Sequence, residues 1–226
     1  MRPRTVFFDF GGTLAEMIAE PLDVWTGIAN EFGLGADRTA MDRALATANE
    51  WFATAVFEHH GRTPELWQRY DEHVLDALGI EDEGGTLASA IQSRFRRVQW
   101  NRLYPESRSV LEALQGRAYA LGVISNSTEE LLDRLRDMEI ARYFDSITYS
   151  QEAGANKPDP VIFQLALKRA GRRPEETMHI GNTYDDDVVG ARTVGIAPIL
   201  VDREDRRPDA DCPRVRDLRG VLDLLP

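Results

Sequence analysis

The chain predicts an α/β fold: a doubly wound parallel sheet with an all-helical domain inserted near its start. Three observations predict it. Five short runs, "TVFFDF" (5–10), "ALGVISN" (120–126), "SITYS" (146–150), "TMHIGN" (177–182) and "APILVD" (197–202), are apolar at nearly every position and end in small or acidic residues. Strands covered on both faces read this way. Helical patterns separate these runs, and strand alternating with helix at this spacing builds a parallel sheet. Residues 15–100 break the rhythm, since apolar residues there recur every three or four positions with no strand run between them.

In chain order, the first run delivers Asp9 into the turn "GGT". The helical insert follows, patterned by Trp25, Ile28, Ala29 and Phe32 and then by Met41, Ala44, Leu45, Ala48, Trp51, Phe52 and Ala55. It holds all four tryptophans, Trp25, Trp51, Trp67 and Trp100, which are assigned to its core. Residues 1–14 and 101–226 are expected to form the sheet domain and 15–100 the insert, a lid over the strand ends. Beyond the second strand, "STEELLDRLRDM" (127–138) opens with a Ser/Thr cap followed by acids, and "PDPVIFQLALKRA" (158–170) has proline near its first turn. "DDDVVGARTVG" (185–195) carries its acids where the helix dipole favours them and stops at a glycine.

Composition narrows the classes of function. With 226 residues and 42% hydrophobic content the chain supports a substantial core. Its formal charge of −11 argues against nucleic acid as a partner. No apolar run approaches the ~20 residues of a membrane span, so no membrane partner and a cytoplasmic location are expected. Cys212, the single cysteine, has no internal partner and no zinc spacing around it. Among 27 Lys and Arg only Lys157 and Lys168 are lysines, so a lysine at a strand end suggests that a compact ammonium is wanted there.

Ligands of open parallel sheets bind at the carboxyl ends of the strands, where the strand order reverses. Asp9 ends the first strand and is followed by Gly11, Gly12 and Thr13, whose amides could cradle an anion. Ser125 and Asn126 end the second. Lys157 stands in "GANKPDP", and "GNTYDDD" sets Asn182 at a strand end with Asp185, Asp186 and Asp187 at a helix start. Singly, these features also read as a turn, a helix cap or dipole pairing. Together, in this order, they point to displacement at phosphorus by a carboxylate, with a divalent cation, a lysine and backbone donors stabilising the charge on the transferred oxygens.

"DFGGT", "VISNS", "NKPDPVIF" and "HIGNTYDDDVVGAR" resemble the four motifs of the haloacid dehalogenase-like hydrolases, whose core is Rossmann-like. The insert resembles that family's helical cap. The resemblance implies a phosphatase of a small phosphorylated molecule, with Asp9 as nucleophile and Gly12, Thr13, Ser125 and Asn126 around the phosphoryl group. Lys157 would neutralise both Asp9 and that group. It implies Mg2+ as cofactor, bound by Asp9, the Gly11 carbonyl and Asn182, with Asp187 and Asp186 supporting its water shell. A monomer or homodimer is expected.

Two departures stand out. Gly11 replaces the aspartate that protonates the leaving group, a loss of acid–base help that typically costs ~10²–10⁴ in rate. Asn182 replaces an acidic magnesium ligand with a neutral one. Three readings therefore follow. One is a weak magnesium-dependent phosphatase, whose leaving group needs little protonation or which borrows an acid from "FEHHG", where Glu58, His59 and His60 stand. The second is a binding or regulatory protein without turnover. The third is a 2-haloacid dehalogenase, for which Gly11 is no handicap but the length of "GNTYDDD" is unexpected.

Overall fold

The computed structural model describes residues 5–58, 64–95 and 98–225. In chain order its regular elements are β1 (Thr5–Phe8), β2 (Ala15–Met17), α1 (Pro21–Glu31), α2 (Arg38–Glu58), α3 (Pro64–Ala77), α4 (Thr86–Phe95) and β3 (Asn101–Leu103). There follow α5 (Ser107–Gly116), β4 (Ala120–Ser125), α6 (Glu130–Asp137), β5 (Ser146–Tyr149), α7 (Ser150–Ala153), α8 (Pro160–Ala170) and β6 (Thr177–Gly181). The chain closes with α9 (Gly190–Thr193), β7 (Ala197–Val201), β8 (Arg214–Val215) and α10 (Val221–Leu224).

Six strands form one sheet in the order β5-β4-β1-β6-β7-β8, and every pairing in it is parallel. β1 is central because its side chains are apolar on both faces. Val6 and Phe8 enter one cluster with Leu121, Val123, Ile180 and Leu111, while Phe7 points the other way against Ile124, Ile162 and Phe163. Each such fully buried side chain stabilises by roughly 1.5–3 kcal/mol. The register sets Phe8 opposite both Val123 and Ile180, and the Asp9 amide continues the ladder by donating to the Ile180 carbonyl at 2.8 Å. The carboxyl ends of β4, β1 and β6 therefore lie side by side, where the strand order reverses.

The helix signals operate in part: the Ser/Thr cap expected at 127–128 does not form, since α6 starts at Glu130 after Glu129 with no side-chain cap bond. Asp159 caps α8 by accepting from the Val161 amide at 2.9 Å, and Gly171 ends it in the left-handed region, at φ 61°. The third pattern departs from a regular helix: Tyr184–Val189 is a single wide π-type turn that leads into α9. β2, β3 and β8 lie outside the five expected runs, because strands of two or three residues carry no readable period.

The chain divides into two compact units, one running to Glu16 and resuming at Arg102, the other Met17–Asn101. The second is helical and built on one cluster that includes Trp25, Met41, Leu45, Phe52, Val74 and Ile91. Trp51 and Trp67 are half-buried at its edge, whereas Phe32 is exposed. α2 ends at Glu58, and His59 and His60 lie outside the described residues. No helix among the described residues is long and apolar enough to cross a membrane.

Within this unit Asp71 of α3 is buried and accepts from the Gln92 amide of α4. Burial pushes its carboxyl up to about 8, although the Gln92 bond opposes the shift. A group raised in the folded state contributes stability below its unfolded value, near 3.8 here, and loses it as pH climbs through about 8. Asp71→Asn is therefore expected to match the wild type at pH 4 and to melt at higher temperature at pH 8–9. Thermal midpoints measured across that range check it.

Candidate active site

The site is built around one ammonium. Lys157 Nζ donates to Asp9 Oδ1 at 2.7 Å and to Asp187 Oδ1 at 2.6 Å, and all three side chains are buried. Burial disfavours the ammonium, yet the charges of Asp187 and Asp9 hold it above the ordinary lysine range. The two carboxyls diverge. For Asp9, burial outweighs the attraction of Lys157 and raises its value. For Asp187, burial is overcome by the charge of Lys157 and the bond from His179, and its carboxyl lies below the usual range.

Local structure explains each placement. Gly181 ends β6, and a Cβ there would lie 2.1 Å from the Asp187 carboxyl carbon, so only glycine lets Asp187 fold back over the strand end. Asp187 Oδ2 accepts from the Thr183 amide at 2.9 Å and so closes the turn that carries it. Lys157 is positioned through its backbone: Asn126 Oδ1 accepts from the Lys157 amide at 2.6 Å, and Asn126 Nδ2 donates to the Lys157 carbonyl at 3.1 Å. Both ends of the Asn126 amide are engaged in holding the lysine loop. Ser125 is buried at the carboxyl end of β4.

On the other side of Asp9, Thr13 Oγ1 donates to Oδ2 at 3.2 Å. Gly12 sits at φ 81°, and a Cβ there would lie 2.3 Å from the Asn182 amide, so two reasons require glycine. Gly11 differs: a Cβ there meets nothing within 4 Å.

Of the three consecutive acids, only Asp187 turns inward. Asp185 is exposed, and Asp186 lies 3.5 Å from Asn126 Nδ2.

Two residues escaped the sequence reading. His179, fully buried in β6, lies 2.9 Å through Nε2 from Asp187 Oδ1, with its ring edge-on to Phe163. Its signal was a polar residue in the middle of an apolar strand run. Arg203, just past β7, donates to the Thr13 carbonyl at 3.0 Å and to Glu106 at 2.7 Å, and its guanidinium lies 3.4 Å from the centroid of the Tyr104 ring. It ties down the loop that follows Asp9 through the Thr13 carbonyl. Its position after a strand end was visible, but its partners were not.

The residues present do not suit the magnesium ion implied by the motifs. Asn182 satisfies its surroundings when its amide nitrogen donates to the Gly11 carbonyl at 2.9 Å, with Thr13 Oγ1 at 3.1 Å and Asp9 Oδ2 at 3.3 Å. In that orientation a donor stands among the oxygens that a cation would need. Both oxygens of Asp187 are taken by Lys157, His179 and Thr183. Among the described residues no group of three His, Cys, Asp or Glu side chains could hold a metal ion.

A parallel sheet with a buried aspartate and lysine at its reversal point defines a class of hydrolase, and comparison with known proteins agrees. The chain belongs to the haloacid dehalogenase-like hydrolase family, whose model matches residues 3–195. It is 32% identical to a phosphoserine phosphatase of Thermus thermophilus, over 84% of this chain and 85% of that one. It is 33% identical to a glyceraldehyde 3-phosphate phosphatase of Methanothermobacter thermautotrophicus, over 89% and 86%. Among solved structures, a 2-haloacid dehalogenase of Pseudomonas syringae superposes with a TM-score of 0.76 at 26% identity, over 99% of this chain and 98% of that one.

Proposed function

We propose that the protein hydrolyses a small phosphomonoester whose leaving group departs without protonation, through a phosphoryl group carried on Asp9. The observation that supports this reading is the buried Asp9 carboxylate at the end of β1, bound by Lys157 through one oxygen. In the first step an Asp9 oxygen attacks phosphorus in line, an oxygen–phosphorus bond forms, and the bond to the leaving oxygen breaks. Lys157 stabilises the charge that spreads over the phosphoryl oxygens, and its fixed position spares reorganisation at that moment. Water then attacks the same phosphorus, the Asp9 bond breaks, and the water proton leaves with phosphate. With Gly11 in place of an acid, nothing at that position protonates the leaving oxygen. Phenolates and other stable anions are therefore the favoured leaving groups.

Carbon–halogen hydrolysis is the second reading, favoured by Gly11 and Asn182 together. Halide leaves without a proton, and a carboxylate held by lysine attacks carbon without a cation. Phosphate release from an aryl phosphate and chloride release from 2-chloropropionate, each run against Asp9→Asn, separate the two. Equal residual rates in both proteins on both substrates would sink the enzymatic reading.

Because a side chain at position 11 meets open space, Gly11→Asp is expected to fold as the wild type does. It should raise kcat/KM on alkyl phosphates by ~10²–10⁴ and change aryl phosphates little. Measuring kcat/KM across phosphates of graded leaving-group pKa checks it.

A further inference from the structure

We infer that the Asn182 amide takes the place of a divalent cation, so that the nucleophile is held in its working orientation with no metal bound. The charges and hydrogen-bond donors around Asp9 carry the inference. Asp9 Oδ1 is held by the Lys157 ammonium, and Asp9 Oδ2 by the Thr13 hydroxyl with the Asn182 amide beside it. With its nitrogen turned inward, the Asn182 amide also reaches the Gly11 carbonyl, which faces the same point, at 2.9 Å, the shortest of its bonds in that orientation. Turned the other way, the amide oxygen would face the Gly11 carbonyl and Asp9 Oδ2, both acceptors, and gain one hydroxyl, that of Thr13. A carboxylate at position 182 would meet the same two acceptors with no proton to offer either, and would require a cation between them. An amide removes that requirement, because its two N–H bonds supply what the cation would supply: positive charge density directed at an acceptor oxygen and at the carboxylate.

Gly12 makes the arrangement possible. Its lack of a Cβ lets the amide lie directly on the loop backbone, from which any larger residue would push it away. The remaining acid of the fourth motif that turns inward, Asp187, is committed to Lys157, His179 and Thr183. A cation entering here would have to turn the amide over and find a charged ligand beyond Asp9.

The activity arm of the test rests on the proposed role of Asp9, whereas the binding arm does not. Mn2+ titrated into the wild type and into Asn182→Asp, with free Mn2+ followed by electron paramagnetic resonance, reads the site directly. The wild type is expected to bind no stoichiometric Mn2+ up to about 1 mM, the weak end of hard-cation sites. Asn182→Asp, isosteric and at an exposed position, is expected to bind one ion at least tenfold more tightly. In 15N-labelled protein the Asn182 side-chain amide pair, assigned by its loss in Asn182→Asp, should not shift on adding Mg2+. EDTA should leave turnover of an aryl phosphate or 2-chloropropionate by the wild type unchanged. One Mn2+ bound by the wild type and lost in Asn182→Ala would overturn the inference. Absence of binding in both the wild type and Asn182→Asp would overturn the assignment to this residue. Should neither substrate turn over, the reading of function fails while the Mn2+ and amide measurements still decide this one.

Discussion

Asp9→Asn is expected to remove turnover while leaving the fold intact. An amide cannot form the covalent intermediate, and loss of a covalent nucleophile costs on the order of 10⁴–10⁶ in rate. Stability should hold because Lys157 keeps its 2.6 Å bond to Asp187, so no buried charge loses its last partner. The sign of the pH dependence follows from the raised value of Asp9, whose burial outweighs the pull of Lys157. A raised carboxyl contributes stability at pH below its unfolded value and loses it as pH rises through the folded one. Asp9→Asn should thus equal the wild type in acid and match or exceed it at neutral pH. The same shift places the acid limb of the wild-type rate profile above the ordinary carboxylate range, since the attacking group must be ionised. Melting curves at pH 4 and pH 8, with phosphate or chloride release at each, check both statements.

Lys157→Met is expected to damage stability and activity together. Methionine retains much of the stem but leaves Asp9 and Asp187 buried without the ammonium they share. Removing one partner from a buried ionic cluster typically costs about 3–5 kcal/mol. The loss should be largest at neutral and alkaline pH and smaller in acid, where the two carboxyls regain their protons. Lys157→Arg should restore little, because a planar fork does not fit where a compact ammonium reaches two carboxylates from one atom. Chemical denaturation at pH 5 and pH 8, combined with the rate assay, distinguishes this pattern from simple loss of the catalytic charge. A variant as stable as the wild type at pH 8 would contradict it.

Much of this site was legible because its signals are local. An apolar run with residues such as Phe7 and Phe8 on successive positions announces a strand covered on both faces, and an aspartate closing it announces a strand end. The two prolines that follow Lys157, Pro158 and Pro160, mark the start of a helix and hence the loop holding the lysine. What escaped depends on partners remote in sequence. Nothing near Asn126 in sequence shows that its amide binds the backbone of Lys157 through both its oxygen and its nitrogen. Asp187 was grouped with Asp186 as support for a metal, yet the glycine at 181 lets it turn inward to the lysine while Asp185 stays in solvent. His179 and Arg203 gain their partners only in the folded sheet, where β6 pairs with β1 and β7 with β6.

By itself, then, the sequence determined the parallel sheet, the aspartate at the end of its first strand, the lysine that faces it, and the absence of an acid at position 11. These follow from period, turn chemistry and residue type, each read within a few neighbouring positions. Only the tertiary structure decided which groups Asn182 meets. Whether an amide presents oxygen or nitrogen to a neighbour depends on whether that neighbour donates or accepts. The Gly11 carbonyl and the Asp9 carboxylate, brought to Asn182 from the far end of the chain by the pairing of β1 with β6, both accept.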